Sequence, residues 1–286
     1  MNSVQTMRTT APVKTYIGPD SSRMVGDLLR EQGVDSVLIV TDKNIEAAGL
    51  LAGVEDSLRT AGCSFIVYDE TPADPPDTAV ERMCALCWEK RCQAVIAVGG
   101  GSCIDSGKCV AFMQRNPGRI RDYLLDPTLP RRKGVPFIAI PTTSGTGSEV
   151  TFGVVITDSQ SGRKIGAGGP EFFASAGILD PLLTVGLPRS VTASTAMDAF
   201  AHAVESMLSG KSNPTCRLFA GEAVRLISGN LEAVLSNGQD VSRRQHLMYA
   251  AYLAAMSVND GSCSLGHSIA HVLGAHYHIP HGAACA

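Results

Sequence analysis

The chain has 286 residues, of which 44% are hydrophobic and 18% are charged, and its formal net charge is -3. This length suits one large domain or two ordinary ones, and the small net charge argues against a nucleic-acid or acidic-membrane partner. Residues 1–18 lack the apolar segment of a secretory signal, and the apolar runs are too short to span a bilayer. We therefore expect a cytoplasmic protein.

The chain contains nine cysteines, spread over predicted strands and helices rather than clustered in loops. An odd number with this distribution is typical of a reduced, intracellular protein and not of a disulfide scaffold. Cys84 and Cys87 form a C-x-x-C pair, but no second pair follows at the spacing of a zinc site. We interpret both as buried packing residues of a helix.

Short runs rich in valine and isoleucine alternate with amphipathic stretches in the first part of the chain. The runs are apolar on both faces, as buried parallel strands are. Alternating strands and helices predict an open α/β sheet with right-handed crossovers. The predicted strands are 35–41, 64–68, 93–98 and 135–140, and the predicted helices between them are 45–61, 78–91 and 102–114.

The pattern changes near Pro188. Residues 177–181 are typical of a strand that ends in a turn, and no strand pattern follows them. The later segments 191–209, 214–236, 242–258 and 262–277 are rich in alanine, leucine and methionine and are predicted helices. We therefore predict an α/β dinucleotide-binding domain with a mostly parallel sheet over residues 1–187, and an all-helical metal-binding domain over residues 188–286.

A glycine-rich turn, residues 99–102 (GGGS), follows the predicted strand 93–98. Glycines let backbone N–H groups approach a phosphate, and a helix N-terminus adds partial positive charge. Ser102 is placed to cap the following helix. The turn is not the G-x-G-x-x-G motif of a standard Rossmann unit. Taken alone, it is equally compatible with a merely tight turn.

A second polar turn, residues 141–149 (PTTSGTGSE), follows the predicted strand 135–140. Two such turns after strands of one sheet favour a ligand site, because open α/β sheets bind ligands at the carboxyl ends of their strands. Asp42 ends the first predicted strand, where a carboxylate can bind an adenosine ribose and repel a 2′-phosphate. An ordinary exposed turn aspartate explains Asp42 equally well.

All seven histidines follow residue 200. Asp198 and His202 are four apart on a predicted helix and so share one face, and His267 and His271 repeat this spacing. An isolated pair of this kind is more often a surface pair. The neighbours of Asp198 and His202 are apolar, however, and burying both is costly unless they bind a metal or each other. With His281, expected on a loop, they favour a zinc or iron site.

Together these stretches resemble the iron-containing alcohol dehydrogenase family, which has the dehydroquinate-synthase-like fold. The resemblance covers essentially the whole chain. It implies hydride transfer between NAD and a primary alcohol or aldehyde, with a divalent metal, usually iron(II), acting on the substrate oxygen. Four motifs carry the resemblance in order: residues 99–108 (GGGSxxDxxK), 141–149, 197–205 (MDAFAHAVE) and 266–282.

The resemblance also implies roles for individual residues. Asp42 would favour NAD over NADP, and His271 would lie near the metal and relay a proton. Asp74 lies in a turn near the adenine side where the family commonly has asparagine. The metal ligands would be Asp198, His202, His267 and His281; the pyrophosphate would be held by Gly100, Gly101 and Ser102; and Thr142, Thr143, Thr146 and Lys164 would line the cofactor cleft.

Two alternatives stay open. Zinc-dependent glycerol or diol dehydrogenases share the fold and the glycine turn. The second alternative is a non-catalytic fragment, because family members continue through more helices beyond the position of Ala286. We expect a C-terminally truncated chain with exposed apolar surface where those helices would pack. The resemblance further implies a small alcohol or aldehyde substrate and a homo-oligomer, a dimer or larger.

Overall fold

A computed structural model describes residues 9–277 and 279–286 of the chain, without the side chain of Ala275. Residues 1–8, part of the segment examined for a secretory signal, lie outside the described residues. The described strands are β1 (Lys14–Ile17), β2 (Ser36–Val40), β3 (Ser64–Tyr68), β4 (Ala94–Gly99), β5 (Phe137–Pro141), β6 (Gly153–Thr157), β7 (Lys164–Gly168) and β8 (Ala176–Leu179).

Six of these strands form one parallel sheet in the order β1-β8-β5-β4-β2-β3. Strands β6 and β7 pair antiparallel as a separate hairpin. Parallel neighbours need crossover connections, which helices commonly supply. The described helices are α1 (Val25–Arg30), α2 (Lys43–Ala47), α3 (Ala52–Thr60), α4 (Asp77–Glu89), α5 (Gly101–Met113), α6 (Ile120–Leu125), α7 (Arg189–Leu208), α8 (Pro214–Ser236), α9 (Val241–Gly261), α10 (Leu265–Tyr277) and α11 (His281–Cys285).

Helices cover both faces of the sheet because its central strands are apolar on both faces. Successive side chains of β2 and β4 point to opposite faces. Leu38 and Val95 pack with α4 and α5, whereas Val37 and Ile96 pack with α1 and α3. The carboxyl ends of these parallel strands meet at one edge of the sheet, which is where the two predicted ligand-binding turns begin.

The second part of the fold is helical. From Arg189 onward, the described residues form only helices and turns. Helices α7, α8 and α9 share a core of small side chains that includes Ala199, Ala223 and Ala254. The predicted fold class, a parallel α/β sheet followed by helices, is confirmed. The division at 187/188 falls between β8 and α7, and as a domain boundary it stays a prediction.

The turn 141–149 packs directly against the helical part. Gly147 has a φ of +60°, and a Cβ at this position would overlap the Cβ of Ala255 in α9. Asn259 of the same helix donates its side-chain N–H to the backbone oxygen of Val150 at 2.9 Å. A glycine is therefore required at 147 for helix packing as well as for the turn. This contact fixes the sheet edge relative to α9.

Some sequence predictions were wrong in detail. The predicted helix 45–61 is two helices, because the chain turns after α2 at Gly49, whose φ is +69°. Ser102 does not cap α5; Gly100 occupies the cap position and the helix begins at Gly101. His281 lies not in a loop but at the start of α11. Strand β1, helices α1 and α6 and the hairpin were not predicted, since each element has only four to six residues.

The cysteine prediction is confirmed for the C-x-x-C pair. Cys84 and Cys87 are buried in α4 against the sheet, and all nine cysteines are free thiols. Among the described residues, no helix combines the length and the apolar content that crossing a membrane requires.

Helix α5 lies so close to the sheet that Gly107 has no room for a side chain. A Cβ there would lie 2.7 Å from Phe137 Cε2 and 2.9 Å from Ala97 Cβ. We predict that Gly107→Ala lowers the free energy of unfolding by about 1–3 kcal/mol, as overpacking of a well-filled core does. Thermal unfolding followed by circular dichroism measures this loss.

Gly229→Ala is the matched control. Gly229 lies in the interior of α8, and a Cβ there meets nothing within 4 Å. Alanine should stabilise this helix by about 0.5–1 kcal/mol. Equal melting temperatures for the two variants would show that α5 is not held against the sheet at this distance.

Candidate metal centre and adjoining cleft

A cavity of about 410 Å³ lies between the carboxyl edge of the sheet and the helical part. The start of α5 and the hairpin β6–β7 line one side, and α7, α10 and α11 line the other. Side chains predicted for a nucleotide and for a metal thus face one space. The predicted site residues that line it are Asp74, Gly101, Ser102, Thr146, Lys164, Asp198, His202, His267, His271 and His281, whereas Asp42, Gly100, Thr142 and Thr143 are not in its lining.

Helix α7 holds Asp198 and His202 on its buried face. Their exposed fractions are 3% and 8%, so they are not the surface pair that such spacing usually indicates. The Oδ2 of Asp198 lies 3.9 Å from Nδ1 of His202. Ala199 and Ala203 pack this helix into the helical core. The carboxylate of Asp198 and the imidazole of His202 line the cavity.

Helices α10 and α11 bring two further histidines to the same carboxylate. Asp198 Oδ1 lies 3.5 Å from His267 Nε2 and 3.4 Å from His281 Nε2. Within the described part of the chain, Asp198 Oδ1, His202 Nδ1 and His267 Nε2 are buried without a hydrogen-bond partner. Buried polar atoms are rarely left unsatisfied in native structures. Carboxylate and imidazole donors that converge without partners fit a divalent cation.

The donor atoms of Asp198, His267, His281 and Cys285 all lie within 4.8 Å of one another. His202 is outside this group and forms a second one with Cys263 and His267. His202 nevertheless lies beside them, with Nδ1 3.9 Å from Asp198 Oδ2 and its ring stacked on that of His267. The structure therefore brings the four predicted ligands together and adds a thiol that sequence reasoning missed. Its signal was present, because Cys285 follows His281 by four residues, the spacing that placed His202 beside Asp198.

The environment fixes the charge of these groups. Burial alone would raise the pKa of Asp198, but His202 and His267 hold it at about 2. Burial lowers the pKa of His202 to about 4, against the attraction of Asp198. Burial would also lower the pKa of His267, but Asp198 and Cys285 raise it to about 11. His267 therefore holds a proton that metal binding must displace, so metal affinity falls as the pH falls.

Glu205 orients one of these histidines and was given no role from sequence. Its Oε1 accepts a hydrogen bond from the backbone N–H of His267 at 2.9 Å and lies 3.1 Å from Nδ1 of the same ring. In the metal-free protein the two ring nitrogens of His267 thus face two carboxylates, Nδ1 that of Glu205 and Nε2 that of Asp198. Glu205 follows His202 by three residues on α7, so helical spacing places it on the same face, but its contact with His267 depends on the packing of α10 against α7.

His271 lies one turn beyond His267 on α10 and lines the cavity. Its ring centroid is 5.0 Å from that of His281. Burial and the neighbouring His281 and His267 lower its pKa, so its imidazole is neutral at neutral pH. It stands beside the metal donors without belonging to their cluster.

The two polar turns contact each other at the start of α5. A Cβ on Gly101 would lie 2.9 Å from Thr146 Cγ2, and one on Gly100 would lie 3.7 Å from Thr143 Cγ2. Gly101 therefore lets the second turn approach the first helical turn of α5, whereas a side chain at position 100 would make an ordinary van der Waals contact. Thr142 is buried at 1% exposure and its backbone N–H donates to Gly99 at 3.0 Å.

Asp42 caps helix α2, accepting hydrogen bonds from the backbone N–H groups of Asn44 and Ile45 at 2.9 and 3.2 Å. Its Oδ2 also lies 3.6 Å from Cys103 Sγ of α5. The carboxylate is therefore a structural cap that sits next to the glycine turn after β4. Its position beside that turn is compatible with a ribose contact as well.

Asp74 and Lys164 form an ion pair at the cavity lining, with Nζ 2.6 Å from Oδ1. Asp74 has a φ of +51°, a conformation that aspartate and asparagine tolerate better than most residues. The positive φ at this position therefore explains why either aspartate or asparagine suits this turn. The pair links the turn after β3 to strand β7.

A buried network beneath the cavity involves residues that were given no role from sequence. Lys108 is 1% exposed and donates to the backbone oxygens of Thr151 and Gly153 at 2.9 and 2.7 Å. Asp105 accepts from the backbone N–H of Val155 at 2.8 Å and from Ser148 Oγ at 2.5 Å. This network ties α5 to the second turn and to the hairpin.

Comparison with protein families gives two matches that together cover most of the chain. The model described as iron-containing alcohol dehydrogenase matches residues 12–181. The model described as the C-terminal part of the Fe-containing alcohol dehydrogenase family matches residues 192–286. The boundary between these matches falls near the change from strands to helices.

Individual relatives are similar over nearly the whole chain. NAD-dependent methanol dehydrogenase of Bacillus methanolicus is 35% identical over 271 residues, which cover 95% of this chain and 71% of that protein. 1,3-Propanediol dehydrogenase of Klebsiella pneumoniae is 35% identical over 275 residues, which cover 96% and 71%.

Solved structures agree with these relatives. A crystal structure of 1,3-propanediol oxidoreductase superposes with a TM-score of 0.95 at 33% identity, covering 98% of this chain and 73% of that one. Sulfoacetaldehyde reductase from Bifidobacterium kashiwanohense, crystallised with NAD+, gives a TM-score of 0.93 at 29% identity, covering 98% and 74%.

Glu205→Gln tests the orienting role of that carboxylate. The variant keeps the size of the side chain but removes the charge that holds His267, and we predict that zinc affinity falls by about 10- to 100-fold. Isothermal titration of the metal-free chain measures the affinity. Glu222→Gln on the exposed face of α8, paired only with Arg225 at the surface, should bind zinc like the wild type. Equal affinities for all three proteins would remove Glu205 from the metal site.

Glu149 gives a pH-dependent prediction. This side chain is 3% exposed, and burial raises its pKa from 4.5 to about 7 despite the attraction of Lys108. As pH rises from 4.5 to 7, the unfolded chain loses this proton before the folded chain does, so the folded state loses stability. Glu149→Gln avoids the loss, and its advantage over wild type should grow by up to about 3 kcal/mol across this window.

Chemical unfolding at a series of pH values measures the advantage of Glu149→Gln. The exposed Glu31 provides the control, because Glu31→Gln should differ from wild type by a constant amount across the same window. A constant difference for Glu149→Gln as well would mean that burial does not raise the pKa of Glu149 above its ordinary value.

Proposed function

The chain belongs to the iron-containing alcohol dehydrogenase family, and we propose that it interconverts a small primary alcohol and its aldehyde at the cavity between α5 and α7. It is an NAD-dependent alcohol dehydrogenase. The observation that supports this location is that one cavity is lined by the glycine turn at the start of α5 and by the Asp198 and His267 donors. A cofactor and a substrate-binding metal would meet there.

The names of the relatives support a primary alcohol. Methanol and 1,3-propanediol, the substrates named for the relatives from Bacillus methanolicus and Klebsiella pneumoniae, carry their hydroxyl groups on terminal carbons. The cavity of about 410 Å³ must also hold part of the cofactor, so it favours a short substrate. Its hairpin side includes Phe152 and Val154, which supply apolar surface for an alkyl chain.

On the cofactor side, we propose that Gly100, Gly101 and Ser102 bind the pyrophosphate through the backbone N–H groups at the start of α5. The proximity of Thr143 and Thr146 to these glycines supports their place in the cofactor cleft. Thr142 would contribute by holding the backbone of its turn.

Asp42 and the pair of Asp74 and Lys164 complete the proposed cofactor site. Asp42 adjoins the glycine turn, where its charge would disfavour the 2′-phosphate of NADP. Lys164 lies at the cavity lining with Asp74 as its counter-ion, so it brings a cation to the cofactor without leaving an unpaired buried charge.

On the substrate side, Asp198, His267 and His281 would hold a divalent metal, with His202 as the further ligand that the family resemblance implies. When bound, the metal supplies Lewis-acid polarisation of the substrate oxygen. His271 is neutral and lies beside His281, so it can accept the hydroxyl proton of an alcohol or return one to an aldehyde. Iron(II) is the proposed metal, and zinc is the alternative.

Metal reconstitution tests this proposal. Metal-free protein is titrated with iron(II) under anaerobic conditions, and NADH oxidation is followed with a short aldehyde. We predict metal-dependent turnover, with NADH preferred over NADPH. His267→Ala should abolish both metal binding and turnover, because it removes a buried donor from the cluster. His246→Ala, an exposed position on α9, should retain both.

Three outcomes would change the proposal. Full activity of His267→Ala would remove the site assignment. Faster oxidation of 1,2-diols with zinc than of primary alcohols with iron would favour a diol dehydrogenase. Metal that raises the melting temperature without any turnover would favour a non-catalytic role.

A homo-oligomer and a cytoplasmic location are further proposals. Helix α10 carries exposed apolar side chains, with Leu265, Val272 and Tyr277 at 71%, 56% and 70% exposure. Exposed apolar surface of this kind was expected from the sequence, and in soluble proteins it is commonly covered by another chain or chain segment.

A further inference from the structure

We propose that Cys103 of helix α5 is a positioning residue for cofactor selectivity, whose thiol holds the Asp42 carboxylate in the place where it meets the adenosine ribose. This inference rests on the proposed NAD site and deepens it. The preference for NADH over NADPH then depends on Cys103 as well as on Asp42. Cys103 lies in the first turn of α5, and neither the sequence patterns nor the family resemblance gave it a role.

The two carboxylate oxygens of Asp42 have different partners. Oδ1 accepts hydrogen bonds from the backbone N–H groups of Asn44 and Ile45 at 2.9 and 3.2 Å, as an N-cap does. Oδ2 lies 3.6 Å from Cys103 Sγ, within reach of the weak hydrogen bond that a thiol donates. Because Oδ1 is committed to the helix cap, Oδ2 is the oxygen left for a ribose hydroxyl. The thiol contacts that oxygen and so restrains its direction.

The thiol is protonated and therefore attracts the carboxylate. Cys103 is 2% exposed, and burial, followed by the negative charge of Asp42, raises the pKa of its thiol well above the ordinary value. At neutral pH the side chain thus presents an S–H group to Oδ2. A thiolate at the same distance would repel the carboxylate. The contact therefore holds Asp42 in place.

Close packing at the end of β4 leaves the thiol little freedom. A Cβ on Gly99 would lie 2.6 Å from Cys103 Sγ and 4.0 Å from Asp42 Oδ2. The missing side chain at position 99 therefore makes the space that the thiol occupies. The backbone N–H groups proposed to bind the pyrophosphate follow Gly99 directly. Cys103 thus joins the carboxylate for the ribose to the turn for the pyrophosphate.

Other hydrogen bonds hold the backbone beside Asp42. Thr41 Oγ1 donates to the backbone oxygen of Val98 at 2.8 Å, and the backbone N–H of Thr71 donates to the backbone oxygen of Thr41 at 3.2 Å. With the backbone held, rotation of the side chain is the main freedom left to Asp42. Helix α2 has only five residues, and so short a helix is a weak restraint on its own cap. The thiol supplies a second point of attachment.

A carboxylate of fixed direction discriminates between the two cofactors in two ways. It accepts a hydrogen bond from the ribose 2′-hydroxyl of NADH, and it repels the 2′-phosphate of NADPH. If Asp42 rotates away, NADH loses the bond and NADPH loses the repulsion, so their dissociation constants move in opposite directions. Damage to packing alone would weaken both cofactors together, because both use the pyrophosphate turn. This difference separates positioning from a purely structural role.

Cofactor binding to the full 286-residue chain tests the proposal. Dissociation constants for NADH and NADPH are measured from the fluorescence of the bound nicotinamide. We expect Cys103→Ala to lower the ratio of the NADPH constant to the NADH constant by about three- to tenfold, the size of one hydrogen bond. Cys103→Ser keeps a donor and should retain more of the ratio than Cys103→Ala. Cys109→Ala removes another buried thiol of α5 and should leave the ratio unchanged.

Asp42→Asn gives the second arm of the experiment. The variant keeps an oxygen that can cap α2 but removes the charge, so it should lower the same ratio. When Asp42→Asn is already present, Cys103→Ala should have little further effect on the ratio, because the thiol acts through this carboxylate.

Equal weakening of NADH and NADPH in Cys103→Ala, with an unchanged ratio, would overturn the positioning role. If Asp42→Asn still lowers the ratio in that case, the proposed cofactor site stands and only the role of Cys103 fails. If Asp42→Asn also leaves the ratio unchanged, the proposed role of Asp42 fails with it. Melting temperatures monitor the folding of each variant. Cys103→Val fills the space of the thiol without a donor and gives the same test if Cys103→Ala does not fold.

Discussion

The burial of one carboxylate constrains the rest of this molecule. Asp198 sits in α7 at 3% exposure, where an uncompensated charge would be strongly unfavourable. Histidines from three helices therefore converge on it, and they keep it ionised. Without this carboxylate, the Nε2 atoms of His267 and His281 would lose the charge that both face.

Asp198 lies near the proposed cofactor site only because the carboxyl edge of the sheet is fixed in position relative to α7. That alignment depends on close backbone contacts: Gly147 against Ala255 of α9, and a Cβ-free Gly145 facing Thr195 of α7. The buried ammonium of Lys108, bonded to the backbone of Thr151 and Gly153, ties α5 to the same turn. The glycines of the second turn thus serve packing between the two parts more directly than phosphate binding.

Local sequence patterns predicted the elements that periodicity controls. The buried strands and long helices were found because apolar spacing is decided within a few residues, and the burial of Asp198 followed from its apolar neighbours. The contacts of Cys285 and Glu205 with the histidines could not be predicted in this way. Their roles depend on where α10 and α11 lie relative to α7, which is a tertiary fact. The hairpin escaped prediction because two strands of five residues each carry too little pattern.

The placement of His202 shows how helical spacing and helix packing together bring donor side chains to one point. His202 shares the helix face of Asp198, so the sequence assigns it to the metal. In the fold its Nδ1 lies 3.9 Å from Asp198 Oδ2, and its ring stacks on that of His267. A burial-depressed pKa keeps it neutral, so it can support the cationic cluster without adding charge. Cys285, four residues after His281 on another helix, lies beside Asp198, His267 and His281 for the same reason, spacing combined with packing. Spacing selects the face of a helix, and only packing between helices selects the ligand.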